Sequence, residues 1–205
     1  MKQSFLPLIF LTTIIACNLS NKSTPLPIIG ERSLAPNGDT IYPTVPPFSF
    51  IDQDSQTVTN TLFDNKIYIV DFFFTHCTTI CPRVTAQMKR VYDQFKDSTN
   101  ILLLSHSIDV KHDTIGRLKE YSTKLGVPDN KRWHFVTGDE DQIYKIANNY
   151  FSVAKKDPNN KDGFDHSGRL ILIDKKKRVR SFCDGTNTED VDRFMTDIKN
   201  LSKEQ

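Results

Sequence analysis

The chain has 205 residues, of which 38% are hydrophobic and 25% are charged. This is enough material for one substantial core together with a tail or linker. The formal net charge is only +2, which argues against a nucleic-acid-binding protein, since such proteins carry a marked basic excess. Four cysteines are too few for a disulfide scaffold, so each thiol has to be considered individually.

The N-terminus has the pattern of an export signal. Lys2 is followed by an apolar run from Phe5 to Ile15 and by the small Ala16. This run is shorter than the ~20 residues of a membrane-spanning helix, so residues 1–16 are predicted to be a removed signal peptide. Ile14-Ile15-Ala16-Cys17 also resembles the lipobox of bacterial lipoproteins, which implies a lipid on the Cys17 thiol. Ordinary cleavage with a free thiol is the alternative. We predict an extracytoplasmic protein at the periplasmic face, tethered to a membrane.

Residues 17–46 are predicted to be a lipid-anchored tether and an irregular connecting segment, because they are rich in Asn, Ser, Thr and Pro. Residues 47–205 form one predicted domain. It begins with a strand at Phe48 to Asp52 and a possible hairpin partner at Thr57 to Thr59.

Apolar runs and helical periodicity predict the remaining elements. The run from Ile67 to Phe74 is typical of a strand buried on both faces. After it come a helix opened by Pro82, a strand from Ile101, a helix capped by Asp113 or Thr114, a strand from Trp133, a helix opened by Asp139, a polar loop from Lys155 to Gly163, a hairpin of Leu170 to Ile173 with Val179 to Phe182, and a helix capped by Thr188.

This order predicts an α/β fold with a mixed central sheet, flanked by helices on both faces and extended by the N-terminal hairpin. A thiol pair stands directly after the first central strand, at Cys77 and Cys81. A thiol pair in that position looks like a thioredoxin-like fold.

Cys77 and Cys81 are four positions apart at the start of a predicted helix, where unpaired N–H groups favour the thiolate. Such a pair can close into a redox disulfide or chelate a soft metal. A purely structural bridge or two buried thiols are the alternatives, although a bridge over so few residues stabilises little.

A metal site would need a third ligand, and His166 is the best placed of the five histidines. In a thioredoxin-like fold, the loop before the strand at Leu170 faces the cysteine-bearing helix. Thioredoxin-type oxidoreductases have a cis-proline there, whereas this sequence has no proline and places His166 instead. Two sulfurs and one imidazole suit Cu(I) and, with one more ligand, Cu(II). Asp165 could orient the imidazole ring.

The other histidines, two aspartates and the last cysteine fit structural roles as well as functional ones. His76 could tune Cys77 but also fits an exposed loop, and His106 and His134 fit structural positions in strands. Asp109 and Asp113 flank His112 in a loop that could border the site, with capping as the favoured role of Asp113. Cys183 is interpreted as a buried strand thiol, with a redox or accessory metal role as the alternative.

Three ordered motifs, Phe72-Phe73-Phe74-Thr75-His76-Cys77-x-x-x-Cys81-Pro82, Ser107-Ile108-Asp109-x-x-x-Asp113-Thr114 and Asp165-His166-Ser167, resemble the Sco/SenC family. The likeness runs from about Phe48 to Leu201. It implies a membrane-tethered, thioredoxin-like protein that binds one copper through Cys77, Cys81 and His166, and whose cysteines form a disulfide when oxidised. It also implies a role in building the dinuclear copper centre of cytochrome c oxidase, by delivering copper or by reducing thiols.

The implied partners are the copper-site subunit of the oxidase and a thiol reductant or another copper chaperone. Thr78 and Thr79 depart from the family pattern, in which many members have proline and aspartate. Two alternatives remain, both of them enzymes. One is an extracytoplasmic thiol-disulfide oxidoreductase that uses Cys77 and Cys81, and the other is a thiol peroxidase with Cys77 as nucleophile.

Overall fold

The computed structural model describes residues 24–127, 129 and 131–204. The predicted signal peptide, Cys17 and the first part of the tether lie outside these residues. Within the described part of the chain, no helix is both long enough and apolar enough to cross a membrane.

Eleven strands and four α-helices are present in the described residues. The strands are β1 (Ser33–Leu34), β2 (Thr40–Ile41), β3 (Ser49–Asp52), β4 (Thr57–Thr59), β5 (Ile67–Phe73), β6 (Ile101–Ser107), β7 (Trp133–Thr137), β8 (Ala154–Lys156), β9 (Phe164–His166), β10 (Arg169–Ile173) and β11 (Val179–Asp184). The helices are α1 (Cys81–Gln94), α2 (Ile115–Lys124), α3 (Glu140–Asn149) and α4 (Thr188–Glu204), with a 3₁₀-helix at Asn60–Phe63.

A seven-stranded mixed sheet organises the domain, in the order β11-β10-β5-β6-β7-β3-β4. The three strands β5, β6 and β7 are parallel, and β10, β11, β3 and β4 pair antiparallel at the two sides. Every residue of β5 and β6 is buried, so the centre of the sheet is covered on both faces. The predicted mixed sheet, the N-terminal hairpin and the thioredoxin-like fold class are confirmed.

The helix starts follow local capping chemistry. Thr114, not Asp113, caps α2, since its hydroxyl oxygen accepts the Arg117 N–H at 3.3 Å. Asp139 caps α3 as predicted, accepting the Gln142 N–H at 2.9 Å. At α4 the prediction is one residue late. The Asn187 side chain accepts the N–H of Glu189 at 2.9 Å, because a short amide side chain just before the first turn reaches an unpaired donor.

Two short hairpins were not predicted. β1 and β2 pair within the segment expected to be irregular, and β8 pairs antiparallel with β9 across the predicted polar loop. The second hairpin matters for the site, because it carries His166 at the end of β9 rather than in an unstructured loop. The strands of these two hairpins are only two or three residues long. Strands of that length are too short to produce a periodic sequence pattern.

Candidate metal centre

The two cysteines lie at the junction of β5 and α1. Cys81 is the first residue of α1, and its backbone N–H donates to the Cys77 Sγ at 3.4 Å. Cys77 lies in the connecting loop, where its Sγ also lies 3.5 Å from the Thr79 Oγ1. The helix start therefore supplies an otherwise unpaired N–H group to a sulfur, as the sequence led us to expect.

The β8–β9 hairpin brings His166 to the two cysteines. Its Nε2 lies 3.4 Å from the Cys81 Sγ and 3.9 Å from the Cys77 Sγ. The three ligand atoms all lie within 4.8 Å of one another. Both cysteines are buried and neither is in a disulfide. The three residues that the sequence singled out thus form one compact S,S,N group.

The two sulfurs differ in protonation. A hydrogen bond from Cys81 is the largest cause that lowers the pKa of the Cys77 thiol, to about 3. The same hydrogen bond, together with burial, raises the pKa of Cys81 well above its ordinary value. The pair at neutral pH is therefore a thiolate at Cys77 that is hydrogen-bonded by a thiol at Cys81.

The surroundings of His166 are largely apolar. The Phe74 ring lies edge-on to the imidazole with 5.6 Å between ring centroids, and Phe164 packs against Phe74 at 5.0 Å. The His166 Nδ1 is buried and has no hydrogen-bond partner among the described residues. A partly buried, apolar environment of this kind strengthens the interaction of the remaining nitrogen with a charge.

Asp165 does not orient the His166 ring by a hydrogen bond. Its carboxylate lies 3.6 Å from the Lys155 Nζ, on the neighbouring strand. Successive side chains of a strand point to opposite sides, so Asp165 points away from the side on which His166 meets the cysteines.

Two carboxylates near the site were not identified from the sequence as functional. Asp71, in β5, is buried and accepts a hydrogen bond from the Ser105 hydroxyl, and burial raises its pKa to about 6. Asp71 is the single acidic residue in an otherwise apolar strand, and this was the sequence signal that could have identified it. Asp162 lies in the loop between β8 and β9, within the segment predicted to be a polar loop.

Asp162 connects this loop to the cysteine loop. Its carboxylate accepts the Thr78 backbone N–H at 3.1 Å and the Thr78 hydroxyl at 2.9 Å. These two hydrogen bonds are the main causes that lower the pKa of Asp162. Thr78, which departs from the family pattern, therefore has a defined partner, and that partner lies four residues before His166.

The loop after β6 supports the site from the other side. The Asp113 carboxylate accepts the Thr75 N–H at 3.0 Å, the Thr75 hydroxyl at 2.6 Å and the Ser107 hydroxyl at 2.6 Å. Asp113 thus joins the loop before Cys77 to the end of β6. Asp109 is not part of the S,S,N group, since its Oδ2 contacts His112 at 2.7 Å and His76 at 3.3 Å.

The remaining residues occupy structural positions, as predicted. His106 is fully buried, with the Phe72 ring stacked on it at 5.0 Å. The His134 Nδ1 lies 3.1 Å from Asp52. Cys183 is buried in β11 and unbridged.

A cavity of about 310 Å³ gives access to the sulfurs between α1 and α2. Its lining includes Cys77, Cys81, Pro82, Tyr121 and Leu125. A partner that approaches this side would meet an apolar rim around the two thiols.

Comparison with known proteins finds relatives and solved structures that are similar to this chain. The chain is 28% identical to the SCO1 protein homolog of Bacillus subtilis (strain 168) over 167 residues, which cover 80% of this chain and 86% of the relative.

Two of the similar solved structures show how much of the domain is shared. One is BsSco, described as a member of the Sco family of cytochrome c oxidase assembly proteins with a disulfide switch; it has a TM-score of 0.69 and 27% identity, and 79% of this chain and 95% of that chain are covered. The other is Bradyrhizobium japonicum ScoI with copper bound, which has a TM-score of 0.63 and 26% identity, with 77% and 99% covered.

The family model of SCO1/SenC matches residues 38–203. This range includes the whole seven-stranded sheet, all three residues of the S,S,N group and nearly all of α4. The chain belongs to the SCO1/SenC family.

Proposed function

We propose that this protein binds one copper ion through Cys77, Cys81 and His166 and helps to assemble the dinuclear copper centre of a respiratory cytochrome c oxidase. The observation that carries the proposal is the convergence of three soft or borderline donors within 4.8 Å, with both cysteines unbridged. Family membership supports it, as do the descriptions of the B. japonicum relative as copper-bound and of BsSco as belonging to a family of oxidase assembly proteins.

The donor spacing fits a transition metal. With bond lengths of about 2.3 Å to sulfur and about 2.0 Å to nitrogen, a trigonal ion would hold a sulfur and a nitrogen about 3.7 Å apart. The observed S–N distances are 3.4 and 3.9 Å. Thiolate sulfur and imidazole favour copper over hard cations, and three donors in a largely apolar environment favour Cu(I).

The redox state of the cysteines would control copper binding. Transfer of two electrons from the Cys77 thiolate and the Cys81 thiol to an oxidant, with release of the one proton on Cys81, forms a disulfide, whose sulfurs are no longer thiolate ligands. Copper would therefore bind only while the pair is reduced, and a thiol reductant would be a required partner.

The protonation asymmetry of the pair also supports a second candidate, thiol-disulfide reduction. The Cys77 thiolate would attack one sulfur of a client disulfide and release the other sulfur as a thiolate, which leaves a mixed disulfide. Cys81, after losing its proton, would then attack the Cys77 sulfur and free the client dithiol. The client gains two electrons, and the resulting Cys77–Cys81 disulfide needs an external thiol reductant before the next cycle.

Titration of the reduced protein with Cu(I) against a competing chelator tests the main proposal. His166→Ala should lower the affinity about tenfold or more, because one of three ligands is lost. Lys155→Ala, on the same hairpin but outside the donor group, is the matched control. If His166→Ala binds Cu(I) as tightly as the wild type, the three-ligand site is wrong. A reductase role alone would leave the rate of client disulfide reduction largely unchanged in His166→Ala.

We also propose that the mature protein is a lipoprotein, anchored through Cys17 at the periplasmic face of a membrane. The lipobox-like stretch before Cys17 supports this. The protein should fractionate with membranes, and Cys17→Ser should move it to the soluble extracytoplasmic fraction. Membrane association that persists in Cys17→Ser would contradict the anchor.

A further inference from the structure

A second group of metal-ligand side chains lies near the S,S,N group and is distinct from it. It consists of His76, Asp109 and His112, whose ligand atoms also lie within 4.8 Å of one another. The Asp109 Oδ2 is the shared point, at 2.7 Å from the His112 Nδ1 and 3.3 Å from the His76 Nε2. The three residues come from two different loops.

The backbone holds Asp109 and His112 in position. The Asp109 carbonyl accepts the N–H groups of His112 at 3.1 Å and of Asp113 at 2.9 Å, which forms a turn that places the two side chains together. The Asp113 carboxylate then binds Thr75, the neighbour of His76, through its N–H and its hydroxyl. The donors are therefore preorganised from both sides.

The carboxylate is buried and the two imidazoles reach solvent. The side chain of Asp109 is 4% exposed, whereas those of His76 and His112 are 44% and 60% exposed. The His76 ring packs against the Phe74 ring, with 5.0 Å between the ring centroids. It is perpendicular to the His112 ring, with 5.6 Å between those centroids. An ion could enter from solvent and meet the negative charge at the bottom of the group.

We propose that His76, Asp109 and His112 form a second metal site, which binds a borderline divalent ion, Cu²⁺ or Zn²⁺. Two ligands at 2.0–2.1 Å from a tetrahedral ion lie about 3.3 Å apart, and the His76 Nε2 lies 3.3 Å from the Asp109 Oδ2. The His112 Nδ1 lies closer to the Asp109 Oδ2, at 2.7 Å. This distance has to increase by about half an ångström when the ion binds. An adjoining cavity of about 350 Å³, lined partly by both histidines, leaves room for a water ligand.

The donor set distinguishes this site from the first one. Two imidazoles and a carboxylate are harder than two thiolates and an imidazole, so the second site selects divalent ions while the first favours Cu(I). The order of affinities should be Cu²⁺ above Zn²⁺, with Mn²⁺ much weaker. The Phe74 ring packs against one histidine of each metal-ligand group. Its centroid lies 5.0 Å from that of the His76 ring and 5.6 Å from that of the His166 ring.

The positively charged side chain of Arg117 borders the second group. Arg117 lines the same cavity, donates to the Thr75 hydroxyl at 3.2 Å and pairs with Glu120 at 3.2 Å. Its guanidinium lowers the affinity for a cation and does not block the donors. Arg117→Gln should therefore strengthen metal binding, which a purely structural His–Asp contact does not predict.

The test uses a protein in which Cys17, Cys77 and Cys81 are replaced by serine, so that the accessible thiols are removed. Isothermal titration with Zn²⁺, and separately with Cu²⁺, should give about one ion per chain. His76→Asn and His112→Asn should each lower the affinity about tenfold or more. Lys111→Arg, which keeps the positive charge of an exposed neighbour outside the group, is the matched control and should bind like the parent.

NMR shifts of the His76 and His112 imidazoles on addition of Zn²⁺ locate the ion independently of the variants. Since both histidines are exposed, circular dichroism should show the asparagine variants folded. Binding that is absent in the parent, or that is unchanged in both asparagine variants, would overturn the second site. Neither result bears on Cu(I) binding by Cys77, Cys81 and His166, which this background has disabled.

Discussion

The Nε2 of His166 lies 3.4 Å from the Sγ of Cys81, although 85 positions separate the two residues in the chain. The first belongs to a three-residue strand, and the second is the first residue of a helix at the end of the central β5 strand. This contact depends on the sheet, because β10, which follows the β8–β9 hairpin in the chain, pairs with β5, which precedes the cysteines.

The thiolate character of Cys77 predicts its reactivity. Since the pKa of Cys77 is lowered to about 3, its alkylation rate should be nearly constant between pH 5 and 9, whereas an ordinary thiol gains reactivity with pH over that range. Cys81→Ala removes the largest cause of the shift, so the rate at pH 6 should fall about tenfold or more and rise with pH.

The measurement is the initial rate of iodoacetamide labelling, with the modified cysteine assigned by mass spectrometry. Cys183, which is buried in β11, should stay unlabelled in the native protein and is the internal control. A wild-type rate that climbs steeply between pH 7 and 9 would show that Cys77 is an ordinary thiol.

The Asp162–Thr78 contact predicts an effect on copper affinity from a residue that is not a ligand. Asp162→Ala removes two hydrogen bonds that hold the loop next to Cys77. We expect Cu(I) affinity to fall about tenfold, the lower end of the range seen when residues that position ligands are removed. Lys161→Ala, the exposed neighbour, should bind like the wild type. Equal affinity in Asp162→Ala would mean that the cysteine loop is ordered without this contact.

Burial of His106 predicts a loss of stability in acid. Desolvation lowers the pKa of His106 to about 3 in the folded state, against 6.5 for an exposed histidine. The unfolded chain therefore binds one more proton between these values, and stability present above pH 6.5 is lost as the pH falls. At pH 5 the loss from this group is about 2 kcal/mol.

His106→Leu removes that proton and should reduce the pH dependence of the urea midpoint between pH 7 and 5. Some dependence should remain, because burial also lowers the pKa of His134. The same dependence in His106→Leu and in the wild type would show that His106 is not the acid-sensitive group.

The buried side chain of Arg180 predicts a large effect on stability far from the metal centre. Its guanidinium binds Asp174 at 3.2 Å, Glu204 at 2.7 Å and the Pro27 carbonyl at 3.0 Å, so it joins β11, the end of α4 and the N-terminal segment. Arg180→Met leaves two carboxylates without this partner and should lower the free energy of unfolding by about 3–5 kcal/mol.

Urea denaturation measures this loss, and Lys176→Ala on the exposed turn before β11 should change stability by less than about 0.5 kcal/mol. If Arg180→Met is as stable as the wild type, the ion pairs of Arg180 contribute no more to the free energy of unfolding than the packing of the methionine side chain does.

Local patterns were sufficient for much of the fold. The apolar runs predicted the strands β5 and β6, of which β5 was expected to be buried on both faces, and the Asp139 capping pattern predicted the start of α3. At α2 the sequence left the cap open between Asp113 and Thr114, and at α4 the predicted cap was one residue late, because neighbouring Asp, Thr and Asn side chains all suit a cap. The short β8 and β9 strands escaped prediction, since pairing across a loop leaves almost no periodicity in three residues.

The sequence by itself determined where the thiols lie, because an apolar strand followed by Cys77, Cys81 and Pro82 is a local pattern. It also indicated His166, because His166 lies just before the strand at Leu170, and in a thioredoxin-like fold the loop before that strand faces the cysteine-bearing helix. Only the tertiary structure decided that Asp165 points away from His166, that Asp162 holds Thr78, and that Asp109 joins His76 and His112. These contacts depend on strand register and on loops from separate parts of the chain, which no short stretch of sequence specifies.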